Sequence, residues 1–157
     1  MPSIACTMYA LLLSAMLSML APTGPVKWSF AAKPVEAGVV AIELTAQVDP
    51  GWHIYATRLE NDLGPLPTAV RFSPADGLIP LGALTEPEPE EVFDPNFEMQ
   101  VRYHSGDPVF TQRFEVKKGA QGPLSGEVEF MVCNDKTCLP PEVVKFSVVM
   151  PAEAEKH

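Results

Sequence analysis

Apolar and polar positions alternate with a period of two through much of the chain. Ile42, Leu44, Ala46 and Val48 are interleaved with Glu43, Thr45 and Gln47. That spacing belongs to a strand with one buried face. Asp49-Pro50-Gly51 ends the run as a turn. Trp52 to Thr57 follows, rich in aromatic and β-branched residues. Thr68–Phe72 and Leu78–Leu84 are shorter strand candidates, separated by Ser73-Pro74-Ala75-Asp76-Gly77. Met99–Tyr103 and Val109–Val116 flank His104-Ser105-Gly106-Asp107-Pro108, which reads as a hairpin connection. Glu127–Cys133 and Val143–Met150 complete the pattern, and Val26–Phe30 opens it. About nine strands with frequent turn signals and no helical period predict an all-β fold, an immunoglobulin-like sandwich.

Two stretches read as irregular. Asn61 to Pro67 is turn-rich, and Thr85 to Pro95 is acidic and proline-rich, which predicts an exposed loop with Glu86 to Glu90 solvated.

Composition fits this picture. The chain has 157 residues, 17 prolines and 10 glycines, enough for one domain with a real core and many short elements. Its net charge of −9 opposes binding to nucleic acid phosphates or anionic lipid.

The first 26 residues carry no charged side chain, and Met8 to Ala21 is an apolar run of 14 residues. A bilayer span needs about 20, so the run reads as the core of a secretory signal rather than a membrane anchor. No Lys or Arg precedes it, and no small-x-small cleavage site is evident. The expected organisation is a signal peptide over 1–24, a β-sandwich domain over 25–150 and a polar tail over 151–157. Cys6 would leave with the leader, so the mature protein would hold two cysteines in a compartment where disulfides form.

Those two are Cys133 and Cys138, separated by Asn134-Asp135-Lys136-Thr137. A bridge across so short a loop restricts the unfolded chain little. The chain-entropy expression gives about 2 kcal/mol, against about 4.7 kcal/mol for a 100-residue loop. A staple placed here would be poorly placed, whereas a bridge that opens and closes as chemistry needs no long loop. Strand alternation puts Val128, Phe130 and Val132 on one face and Glu129, Met131 and Cys133 on the other. The first face is the expected core, so Cys133 should point towards solvent or a covering loop, as an accessible thiol.

Other chemistries lack their parts. Zinc needs more Cys, His or carboxylate ligands at close spacing than the chain offers, and no metal or other cofactor is expected. His53, His104 and His157 are scattered, and His53 reads as an ordinary strand residue. The pair is not the Cys-x-x-Cys of a thioredoxin-like site.

The run Phe130-Met131-Val132-Cys133-Asn134-Asp135-Lys136-Thr137-Cys138-Leu139-Pro140-Pro141 resembles the N-terminal periplasmic domain of the thiol:disulfide interchange protein DsbD, in versions from the Bacteroidetes lineage. Val26-Lys27-Trp28-Ser29-Phe30, Pro50 to Tyr55 and Val92 to Phe97 extend the resemblance over most of the mature chain. It implies an immunoglobulin-like fold and a periplasmic thiol–disulfide oxidoreductase of the protein-disulfide reductase type. The donor would be a membrane-embedded thiol transporter. The acceptors would be periplasmic thioredoxin-like or disulfide isomerase proteins and cytochrome c maturation factors, with Cys138 engaging them. It further implies a cap over the cysteines, matched by the segment ending in Glu91-Val92-Phe93-Asp94, with Phe93 as its shield. Tyr55 matches an aromatic lining the site. Members of that family continue into membrane helices, whereas this chain stops at His157, which points to a stand-alone version. The competing expectation is a non-catalytic β-sandwich interaction module whose disulfide is structural.

Overall fold

The computed structural model describes residues 24–60, 63–120 and 122–152. The expected signal peptide, Cys6 and most of the polar tail lie outside them. Eleven strands form among the described residues: β1 Val26–Glu36, β2 Val39–Val48, β3 His53–Tyr55, β4 Ala69–Phe72, β5 Leu78–Thr85, β6 Glu90–Asp94, β7 Met99–His104, β8 Val109–Val116, β9 Leu124–Phe130, β10 Val132–Cys133 and β11 Glu142–Val148. Their pairings are antiparallel in three sheets, ordered β1-β2-β8-β5, β11-β9-β4 and β10-β3-β7-β6. None of these residues forms a helix long and apolar enough to cross a membrane.

The first two sheets face each other and enclose the main core. Val40, Ile42, Leu44 and Ala46 of β2 are fully buried, as the period of two demands. Rings from opposite sheets meet across the layer. Phe30 stacks on Phe146 at 4.6 Å, Trp28 lies 5.5 Å from Phe130, and Phe72 meets Phe114 edge-on at 5.1 Å. On β8, Phe110, Phe114 and Val116 share this core with Gln112. The Gln112 amide donates to the carbonyls of Leu81, Gly82 and Arg113 at 3.0–3.3 Å, where the β5 register shifts between Leu81 and Thr85. A buried amide is tolerated because the irregular strand offers it acceptors.

The third sheet carries the cysteines, and its assembly corrects three sequence expectations. The segment over 104–108 is not a hairpin connection. β7 pairs with β3 and β6, whereas β8 pairs with β2 and β5. The connection itself runs beside β2, with Val48 N–H donating to Gly106 O and Ala46 N–H to Pro108 O. It therefore carries the chain from one sheet to another.

Glu127 to Cys133 is not one strand. Pairing with β4 ends at Glu129 and with β11 at Phe130, Met131 interrupts, and Val132–Cys133 pairs instead with β3, Val132 opposite Ile54 and Cys133 opposite His53. The facing still alternates through the break, with Phe130 and Val132 in the main core and Met131 and Cys133 on the other side.

Thr85 to Pro95 is not a loop throughout. β5 runs to Thr85, and Glu90–Asp94 is a strand paired with β7. Its two glutamates are exposed while Val92 is half-buried and Asp94 is buried. Nor is Glu86 solvated. Its carboxylate accepts from Thr57 N–H at 2.9 Å and Thr57 Oγ1 at 2.8 Å, and lies 3.0 Å from His104 Nε2. Burial alone would raise the pKa of Glu86, but these partners hold it below the ordinary carboxylate value.

Candidate functional site

β3 and β10 are each covered on both sides. Ile54 and Val132 enter the main core, while Tyr55 and Cys133 enter a second cluster with Val101 of β7. Cys133 and Cys138 are joined by a disulfide, their Cα atoms 4.1 Å apart. The loop between them is organised by Asn134. Its side-chain oxygen accepts the N–H groups of Lys136 and Thr137 at 2.9 Å each, and its own N–H donates to Thr137 O. This is the local turn that an Asn side chain favours. Leu139 N–H then donates to Val132 O, and Pro140-Pro141 separates the loop from β11.

The two sulfurs differ in surroundings. Cys133 is 0% exposed, which corrects the expectation of an accessible thiol at that position. Its face does point away from the main core, but β7 and the β6–β7 turn cover it. Cys138 is half-buried. Of the two, only Cys138 has surface open to solvent.

Tyr55 lines the site, fully buried. Phe93 does not shield it. Its side chain is 58% exposed, because alternation along β6 turns Val92 and Asp94 inward and Phe93 outward. The apolar cover comes from the β6–β7 turn and its flanks. Phe97 and Met99 pack on the cysteine cluster with Val92, and Phe97 meets Tyr55 edge-on at 6.1 Å. Glu98 in that turn adopts φ 55°, a left-handed backbone that a non-glycine residue seldom takes. Asn96 ties the turn to the cysteine loop, its Nδ2 donating to Asn134 O at 2.8 Å. Glu91 is exposed, with Oε1 3.6 Å from Arg102 Nε.

From sequence alone Phe97 and His53 had no role in the site, and Asp94 only a place at the end of the expected cap segment. Tyr55 O–H donates to Asp94 Oδ2 at 2.5 Å, and Asp94 Oδ1 accepts Asn96 N–H at 2.8 Å. His53 Nε2 lies 3.4 Å from the Tyr55 hydroxyl, and its ring stacks on Tyr103 at 4.2 Å. Burial lowers the His53 pKa from its ordinary 6.5, outweighing the opposite pull of Asp94, Asp135 and Glu90. Burial and the bond to Asp94 both raise Tyr55, which stays protonated. The only available signal was the period of two in His53-Ile54-Tyr55, which sets His53 on the face of Tyr55. Among the described residues, no group of three or more Cys, His, Asp or Glu is arranged to hold a metal ion.

The family described as "Thiol:disulfide interchange protein DsbD, N-terminal" matches residues 21–150. The chain belongs to the DsbD N-terminal domain family. No curated protein matches it. Among solved structures, the DsbD N-terminal domain of Neisseria meningitidis in its reduced form is similar at 18% identity and a TM-score of 0.51, over 78% of this chain and 84% of that one. The complex of the DsbD and PilB N-terminal domains from the same organism gives 17% and 0.51, over 83% and 87%. The N-terminal periplasmic domain of ScsB from Proteus mirabilis gives 15% and 0.51, over 82% of this chain but 45% of that one. At these identities the likeness shows the shared immunoglobulin-like fold. Membership of the DsbD family and the bonded cysteine pair make this a thiol–disulfide exchange domain.

Proposed function

We propose that this domain relays reducing equivalents in the periplasm, from a membrane-embedded thiol transporter to periplasmic thioredoxin-like or disulfide isomerase proteins, through Cys133 and Cys138. One observation carries the reading: the bridge closes a short loop and joins a partly exposed cysteine to a fully buried one. A donor thiolate attacks Cys138 Sγ, and the Cys133–Cys138 bond breaks with its electron pair on Cys133. A second donor thiol then resolves the mixed disulfide, leaving the donor oxidised and this domain a dithiol. In the onward step Cys138 attacks an acceptor disulfide, and Cys133 closes the bridge again while the acceptor leaves reduced. The Neisserian domain's complex with the PilB N-terminal domain supports a protein as partner. The cover formed by Phe97 and Met99 must move aside for each transfer.

The reduction potential tests the proposal. Equilibration against defined ratios of reduced and oxidised dithiothreitol should give a value more oxidising than about −300 mV, the range of labile bridges. A value well below that would assign the bridge to structure and leave an interaction module as the function.

A further inference from the structure

Three polar side chains are buried beside the bridge, and the exchange between the two sulfurs and a partner does not itself use them. His53, Tyr55 and Asp94 are 7%, 0% and 1% exposed. They are linked in series, Tyr55 O–H to Asp94 Oδ2 at 2.5 Å and His53 Nε2 at 3.4 Å from that hydroxyl and 3.8 Å from the same carboxylate oxygen. Burying such groups is costly, and an apolar residue could fill position 53 without that cost. Position 53 is also special in the sheet, because His53 stands directly opposite Cys133 in the β3–β10 pair. Opposed residues of an antiparallel pair project to one face with Cβ atoms about 4.5–5.5 Å apart. The imidazole and the Cys133 sulfur therefore occupy the same side of the same short ribbon.

Exchange requires a proton to move at that sulfur. Only the thiolate is nucleophilic, and a thiol in apolar surroundings resists ionisation. With Cys133 fully buried, bulk water is a poor acceptor for its proton.

We propose that His53 accepts the Cys133 proton when the bridge closes and returns it when the bridge opens, with Asp94 supporting the imidazolium. This rests on the reading of the pair as an exchange site. In closure the proton passes from Cys133 Sγ to the imidazole. The sulfur bonds to Cys138 Sγ, and the Cys138–partner disulfide breaks with its electron pair on the partner's sulfur. The cysteine pair is oxidised by two electrons and the partner is reduced. The imidazolium then gives its proton to the departing partner thiolate or to water. Opening runs the same transfer in reverse.

The groups around His53 suit this role. Tyr55 lies beside it on β3, Tyr103 of β7 stacks on it, Asp94 and Glu90 face it from β6, and Asp135 faces it from the cysteine loop. Every formal charge among them is negative and favours the imidazolium, while burial keeps the resting ring neutral and ready to accept.

The test uses the full chain, reduced and then exposed to oxidised glutathione. Acid quenching and mass spectrometry follow the conversion of the glutathione mixed disulfide to the internal bridge, across roughly pH 5 to 8, where histidine titrates. In the wild-type protein closure should stay fast down to mildly acidic pH. In His53→Gln it should be slower at pH 7 by about 10-fold or more, the scale of general acid–base assistance. The variant's rate should also climb steadily with pH, as that of an unaided thiol does. Asp94→Asn, which keeps an acceptor for Tyr55, should give an intermediate rate. His53→Tyr preserves a ring on Tyr103 and serves if the glutamine variant does not fold. Variant and wild-type pH profiles of the same shape and height would overturn the role of His53 while leaving the exchange reading intact. A wild-type protein that never closes the bridge would overturn the exchange reading itself.

Discussion

At the scale of single residues, the site turns on which side chains the strand pleat sends inward. Phe93 and Phe97 lie four positions apart in one motif, yet Phe93 is 58% exposed and Phe97 packs on the cysteine cluster. Sulfur–aromatic and apolar contacts of this kind contribute about 0.3–1.5 kcal/mol each, enough to slow stray thiols and weak enough for a partner to displace. Phe97→Ala should therefore speed reduction of the bridge by dithiothreitol several-fold, by this scale of energy. Phe93→Ala should leave that rate within about two-fold and stability nearly unchanged, as for most exposed positions. Stopped-flow reduction of both variants checks this. A faster bridge in Phe93→Ala alone would restore Phe93 as the shield.

At the scale of elements, the cover is a hairpin, β6 and β7 with their turn, fastened at both ends. Its tip is tied to the cysteine loop through Asn96 and Asn134. Its root is tied through Glu86, which holds Thr57 just after β3 and His104 at the end of β7. Removing a buried acceptor leaves its donors unsatisfied, a loss of about 1–3 kcal/mol, and Glu86→Ala should lose about that much in denaturant melts. The pH dependence has a definite sign. The folded-state pKa of Glu86 lies below its ordinary 4.5, so the folded state favours the carboxylate. Its contribution is complete above that value and disappears as pH falls through the folded pKa. Acidification below about pH 4.5 should thus narrow the stability gap between wild type and Glu86→Ala. A gap independent of pH would show that the carboxylate charge is not what matters.

At the scale of the whole molecule, two clusters divide the labour. The sandwich of the first two sheets closes on its own aromatic layer, and the cysteines sit in a separate, smaller cluster on the third sheet. The bridge can then cycle without the main core having to repack. A Cys133→Ser, Cys138→Ser double variant should fold and lose about 2 kcal/mol, the limit set by its short loop. Circular dichroism and thermal unfolding measure both. A chain unable to fold without the bridge would favour a structural disulfide.

What the sequence determined by itself is what depends on near neighbours. The period of two over 42–48, the Val109–Val116 strand and the Asp49-Pro50-Gly51 turn read correctly because pleat and turn preferences act within a few residues. The spacing of Cys133 and Cys138 likewise bounded how much a bridge could stabilise. Tertiary structure decided everything that depends on what covers a face. β6 was hidden because its glutamates and the prolines that flank it read as loop, and only pairing with β7 makes it a strand. Glu86 was read as solvated because its partners, Thr57 and His104, lie far along the chain. Alternation placed Cys133 correctly on the face opposite the main core, but that face was read as accessible because the strand that covers it, β7, and the β6–β7 turn lie elsewhere in the chain. Its true burial is set by Val101 and Tyr55, and by Phe97 at the turn, residues distant in sequence. Alternation fixes which residues share a face, but burial requires a second surface, and that surface is supplied only when the sheets assemble.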